Sequence, residues 1–115
     1  MENSKKFKIE ASKIIQHIES MGSCIASDKI TVEGEKINYM YRENPNFKTD
    51  CGWRFFSGTE SQDYVDNPEN LMIYDVNTIV NYDQAITLYL NLPIGTELTR
   101  MTNSDTFIVL DDSVN

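Results

Sequence analysis

The stretch Gly52-Trp-Arg-Phe-Phe-Ser-Gly58 decides how this chain is read. Successive side chains of a strand face opposite sides. Trp53 and Phe55 therefore point one way, and Arg54 and Phe56 the other. An aromatic residue on each side predicts a central strand covered on both faces, bounded by its two glycines. Upstream, KINYMYRE (36–43) alternates Ile37, Tyr39 and Tyr41 with Asn38, Met40 and Arg42. With Ile30-Thr31-Val32 before it and Glu33-Gly34 between, it predicts a β-hairpin. SCIAS (23–27) reads as another short strand. Downstream, Thr59 and Gln62 have capping-box spacing, which predicts a helix over 60–66 ended by Asn67-Pro68. LMIYDV (71–76) reads as a strand. Asn81 with Gln84 opens a helix over 82–90, and strands over 93–100 and 106–112 close the chain around the turn Asn103-Ser104-Asp105.

At the other end, FKIEASKIIQHIESMG (7–22) carries Ile14, Ile18 and Met21 at helical spacing, with Gly22 as terminator. These elements predict an α+β fold: a mainly antiparallel, curved sheet of five to six short strands, an N-terminal helix, and one or two helices between the central and last strands. Residues 59–92 leave a crossover to a parallel strand open. The 115 residues, with no linker or repeat, predict one domain: an N-terminal helix over 1–22 and an α+β core over 23–112. At 40% apolar and 24% charged, the composition fits neither a disordered tail nor a fibrous repeat. Apolar runs such as ITLYL (86–90) are far shorter than the roughly 18 residues of a membrane span. The first twenty residues include Glu2, Glu10 and Glu19 and show no apolar signal core, so the expected location is cytoplasmic.

The charge is uneven. Ten basic residues face eighteen acidic ones, a net of -8. The second half owes its basic charge to Arg54 and Arg100 alone. Nucleic acid, which is bound through Lys and Arg, is therefore not an expected partner. An acidic surface instead suits a basic protein and speeds encounter with it. Solubility alone also accounts for such a surface.

Little catalytic chemistry is visible. A single histidine, His17, rules out multi-histidine metal sites. Cys24 reads as core, and Cys51 abuts a turn where it could be reached. Their spacing fits no zinc pattern. No phosphate-binding loop, dinucleotide fingerprint or nucleophile elbow occurs. The acidic run from Asp63 to Asp75 lacks the spacing and central glycine of a calcium loop. No cofactor, metal or catalytic residue is assigned. Asp50, Glu60 and Asp63 flank the central strand, which keeps a carboxylate hydrolase open as a lesser alternative. The dense segment 50–66 supplies the candidate partner-binding residues Asp50, Arg54, Glu60, Asp63, Tyr64 and Asp66, since aromatic and Arg anchors within a polar rim are what interfaces use. Arg54 could instead pair with Asp50 and hold structure. A further alternative is a small-molecule pocket floored by the Trp53–Phe56 strand and lined by Tyr39, Tyr41 and Arg54.

Several separated blocks, GEKINYMYRE, D-x-GWRFFSG-x-E-S-x-x-Y-x-DNP-x-N, IYDVNTI-x-NYD and PIGT-x-L-x-R, together resemble the family known as immunity protein 33, or domain of unknown function 2185. The resemblance covers about residues 23–100. It implies a cytoplasmic protein that binds and silences a cognate toxin, and it implies no reaction. The family's marked positions fall on Tyr41, Arg42, Asp50, Gly52 to Gly58, Glu60, Tyr64, Asp66, Asn77, Asn81, Tyr82 and Asp83. The family usually carries a small hydroxyl residue where this chain has Cys51, so no hydroxyl is needed there.

Overall fold

The computed structural model describes residues 5–110. Its centre is β3 (Asp50–Phe56), whose seven residues are all buried. It lies third in a six-stranded sheet of order β4-β1-β3-β2-β5-β6. The other strands are β1 (Ser23–Ser27), β2 (Tyr39–Arg42), β4 (Leu71–Asp75), β5 (Glu97–Arg100) and β6 (Phe107–Val109). The fold is α+β, as expected. One pair, β1 with β3, is parallel, and the other four pairs are antiparallel. Residues 59–92 do lead from β3 to a strand of the same direction, since β3 and β5 both run antiparallel to the β2 that lies between them. On the way the stretch forms β4, antiparallel to β1.

One face of the sheet carries the core. Cys24, Ala26, Met40, Trp53, Phe55 and Leu98 meet Ile30 of helix α1 (Asp28–Thr31) and Val76, Ile79 and Val80 of helix α3 (Val76–Tyr82). Ile86 and Leu90 complete this layer from the 3₁₀ segment Gln84–Tyr89 and its end. Trp53 is fully buried, and its indole N–H donates to the Leu90 carbonyl at 2.9 Å. Cys51 is buried with Cys24, contrary to the expected accessibility. Burial pushes both thiols up, so neither is the thiolate that redox or nucleophilic chemistry needs.

Three expected elements differ. The hairpin over 30–41 is absent, because Ile30 and Thr31 belong to α1. Ser27 caps α1, its side chain accepting the Lys29 N–H, and Asp28 sits in the first turn. The β-branched run looked extended, but burying Ile30 in the core outweighs that modest propensity. The helix placed over 82–90 is instead α3 followed by a 3₁₀ segment. Asp75 and Asp83 are their caps, not Asn81. The third helix, α2 (Gln62–Asp66), occurs where expected, but Ser61 rather than Thr59 caps it.

The N-terminal helix is the largest correction. Within residues 7–22 only Ala11–Lys13 forms a 3₁₀ turn, and the remainder runs as a strap across α3. Two asparagines one turn apart hold the strap. The Asn77 side-chain oxygen accepts the N–H groups of His17 at 2.7 Å and Ile18 at 3.2 Å, and its amide donates to the Ile15 carbonyl. Asn81 accepts the Ile15 N–H and donates to the same carbonyl. Tyr82 accepts the Ile9 N–H. A lone short helix is marginal in water. Here the amides of α3 satisfy the strap's backbone as a neighbouring strand would, while Ile18 and Met21 still reach the core. Gly22 ends no helix. It turns the strap into β1 at φ +97°, where a Cβ would lie 2.5 Å from the Thr49 carbonyl oxygen.

Asn77→Ala removes these bonds in a nearly buried place. It is expected to cost about 1–3 kcal/mol and to speed amide exchange at His17 and Ile18, leaving β3 protected. Unchanged exchange at those two amides would show that Asn77 does not hold the strap.

Candidate functional site

The site begins inside β3. Asp50 and Arg54 are four residues apart, a separation of roughly 13 Å in a regular strand. A bulge shortens it. Ser23 pairs with Asp50 while Ile25 pairs with Arg54, so β3 holds two more residues than β1 over that interval. Gly52 makes the bulge, at φ +98°, and a Cβ there would lie 2.2 Å from the Glu43 carbonyl oxygen. The Arg54 guanidinium then grips Asp50 with two parallel bonds, 2.9 and 2.7 Å. The N–H groups of Gly52 and Asn46 also donate to the Asp50 carboxylate, at 2.8 and 2.7 Å. Glu43 takes the Arg54 Nε–H at 2.6 Å. The Arg54 bonds, backed by the two backbone donors, hold the Asp50 carboxyl down to about 2. Burial works against the Arg54 charge, but its two carboxylates outweigh burial and raise its pKa.

Above this network lies an aromatic cluster. Tyr41 stacks on Phe56 at 6.0 Å between ring centroids, and Tyr39 lies 5.8 Å from Tyr41 and 6.2 Å from Phe56. The two tyrosines are half-buried. They sit on the sheet face opposite the core, because Tyr39 pairs with Phe56 and Tyr41 with Arg54. The Tyr39 hydroxyl donates to Glu97 of the neighbouring β5. Burial, and then the Glu97 bond, push the Tyr39 phenol well up; burial also raises Tyr41. Helices α1 and α3 pack on the other face.

Two hollows flank the tyrosine pair. The larger, about 590 Å³, is walled by Phe56, the loop Ser57–Glu60, Val65 of α2 and Thr99. The smaller, about 270 Å³, is bounded by Gly95, Thr96, Glu97 and Arg42. The loop wall is held by Glu60, whose carboxylate accepts the N–H groups of Ser57 and Gly58. Burial pushes the Glu60 carboxyl up, but these bonds outweigh it and hold it below its usual value. The Thr59 hydroxyl donates to Glu35 behind the loop.

The six residues singled out from sequence fall in three places. Asp50 and Arg54 are buried beneath the aromatic cluster. Glu60 lines the larger hollow while holding its wall. Asp63 and Asp66 are exposed on α2, and Tyr64 beside them is half-buried with the Lys29 ammonium 5.1 Å from its ring centre. Arg54 does not line the hollow that a small-molecule site would use, although Tyr39 and Tyr41 do. Glu97 and Thr99 escaped sequence reasoning, because strand order alone brings β5 beside β2. All three arginines are engaged internally. Arg42 donates to the carbonyls of Cys51 and Leu92, and Arg100 pairs with the buried Asp83. No guanidinium is thus left to read phosphate. Among the described residues no group of three or more His, Cys, Asp or Glu is placed to hold a metal ion.

Residues 24–111 match the Immunity protein Imm33 domain. The match spans most of the chain, which therefore belongs to the Imm33 immunity-protein family. No curated protein and no solved structure matches it. The marked positions of the motif now have places: Asp50, Gly52 and Arg54 build the network, Glu60 the loop wall, and Asn77, Asn81 and Tyr82 the strap.

Two outcomes check the network. Asp50→Asn leaves Arg54 short of its main partner and is expected to cost roughly 3–5 kcal/mol. The double variant Asp50→Asn with Arg54→Met should cost clearly less than the sum of the singles in urea unfolding. Strict additivity would show the two are uncoupled. Because the Asp50 carboxyl is lowered from 3.8 to about 2, its contribution is full above about pH 4 and lost as pH falls through about 2. A shift of that size corresponds to roughly 2–3 kcal/mol. The acid limb of a stability profile should flatten by about that amount in Asp50→Asn. An unchanged limb would show that Asp50 titrates normally.

Proposed function

We propose that this protein binds and neutralises a cognate toxin in the cytoplasm, and that the tyrosine-bearing sheet face and the acidic α2 beside it make the contact. The observation that carries the reading is a sheet face that, among the described residues, is covered by α2 at one end only and leaves Tyr39 and Tyr41 half-exposed, in a chain of the immunity family. Tyr39 and Tyr41 offer aromatic contact area there, within a rim of Glu60, Glu97 and Thr99. Aromatic centres with polar rims are how protein interfaces concentrate affinity. The exposed Ile73 and Ile108 extend the same face toward both sheet edges.

In this arrangement the candidate residues divide the work. Asp50 and Arg54 keep the floor rigid, and Glu60 shapes the wall. Tyr64, Asp63 and Asp66 stand at the α2 end, where exposed carboxylates steer a basic partner. No helix among the described residues is long and apolar enough to cross a membrane, which accords with action on a toxin met in solution.

Co-expression with a toxin that this protein neutralises is expected to restore growth, candidates being drawn from neighbouring genes, and the purified pair should elute as one stoichiometric complex. Continued growth arrest with no complex would overturn the reading. Replacing Asp63 and Asp66 together with Asn should leave stability nearly unchanged. It should slow association several-fold at low salt and much less at 0.5 M salt, where the Debye length falls to roughly 4 Å. An on-rate equal to wild type at low salt would move steering away from α2.

A further inference from the structure

The tyrosine pair forms a ridge with a hollow on each side, and each hollow is bordered by a carboxylate, Glu60 in one and Glu97 in the other. We propose that this ridge docks an arginine-bearing segment of the neutralised toxin, the guanidinium lying against the Tyr39 and Tyr41 rings beside Glu97. This rests on the immunity reading above and names the chemistry of the contact.

Three features of the ridge select a cation. First, the rings of Tyr39, Tyr41 and Phe56 touch one another at 5.8–6.2 Å, so the cluster is already assembled before anything binds. Aromatic faces attract cations through their quadrupoles. Burial keeps both phenols neutral and the rings unchanged at physiological pH. Second, the charge beneath the ridge does not repel an incoming cation. The Arg54 guanidinium is met by the two carboxylates of Asp50 and Glu43, so the trio sums to 1 − 2 = −1. Third, the hollows hold no competing cation. Neither is lined by a lysine, and Arg42, which borders the smaller one, turns its guanidinium to the Cys51 and Leu92 carbonyls.

The same geometry selects arginine over lysine. A planar guanidinium stacks on a ring while its edge N–H groups meet a carboxylate, whereas an ammonium is a compact, strongly hydrated point charge. Glu97 stands where such an edge would arrive, already fixed by the Tyr39 hydroxyl. A chain of net charge -8 supplies the long-range attraction, and the ridge supplies the short-range recognition.

The test titrates the whole protein, followed by NMR, with three probes: acetyl-arginine methylamide, its neutral citrulline analogue and acetyl-lysine methylamide. The arginine probe is expected to shift the Tyr39, Tyr41 and Phe56 ring signals saturably. The citrulline and lysine probes should bind at least several-fold more weakly. Glu97→Gln should weaken the arginine probe, and Thr99→Lys, which sets a cation at the edge of the larger hollow, should abolish its binding with the sheet intact. Equal binding of arginine and citrulline would overturn the proposal, as would arginine shifts that fail to saturate or that map elsewhere. Equal binding of lysine would overturn the preference for a guanidinium. Protection against the toxin separates the two readings. If wild type fails to protect, the immunity reading fails. If wild type and Thr99→Lys protect equally, the immunity reading stands and the ridge is not the docking site.

Discussion

The fold depends on the pairing of Asp50 with Arg54 across the bulge at Gly52. A buried guanidinium is tolerable only when its donors are met, and a buried carboxylate only when its lone pairs are filled. Here each satisfies the other, with the Gly52 and Asn46 amides and Glu43 completing the set. The bulge is possible because residue 52 has no side chain, so the Glu43 carbonyl can approach. The network thereby ties the start of β3 to the loop that follows β2. It fixes the register of the two central strands, and from that register follow the stacking of Tyr41 on Phe56 and the placement of Tyr39 beside Glu97.

The two faces of the sheet then have different duties. The Trp53 and Phe55 face is a conventional core, closed by α1, α3 and the 3₁₀ segment after α3. The Arg54 and Phe56 face is buried at its centre by charge pairing and aromatic contact rather than by a packed helix. That leaves Tyr39, Tyr41, Glu97 and Thr99 half-exposed around a rigid floor. A binding surface gains from such rigidity, since little ordering is left to be done when a partner arrives. The motif is therefore divided between scaffold and surface, with Tyr41, Tyr64 and Asp66 on the exposed side. Asp50, Gly52, Arg54, Glu60, Asn77 and Asn81 build the scaffold, while the exposed side chains come from β2, β5 and α2.

Much of this was legible in the chain. The alternation in 52–58 identified a strand buried on both sides, and both aromatic faces exist. Cys24, Trp53 and Phe55 were read as core and are. The Asn67-Pro68 stop ended α2 where expected. The misreadings share one cause, a local pattern overruled by a distant partner. Ile14, Ile18 and Met21 are spaced for a helix, yet Asn77 and Asn81, about 60 residues away, satisfy the same backbone in an extended form. Ile30 to Val32 favours a strand by propensity, yet the cap at Ser27 and the core pocket for Ile30 make it helical. The Ser27-Asp28 pair was the signal available there, since a capping side chain followed by an acidic residue marks a helix start.

By itself the sequence determined the α+β class, the central strand, the acidic character and the scarcity of basic residues in the second half, because these follow from alternation, composition and count. The family blocks were also written in it. Only the tertiary structure decided that Arg54 belongs to the scaffold, since that required Asp50 to be brought back across a bulge and Glu43 to arrive from a separate loop. It alone brought the candidate site together, because Glu97 and Thr99 meet Tyr39 and Tyr41 through strand order. Strand order is set by which long-range pairings bury the most surface with every backbone group satisfied, and no local spacing encodes it.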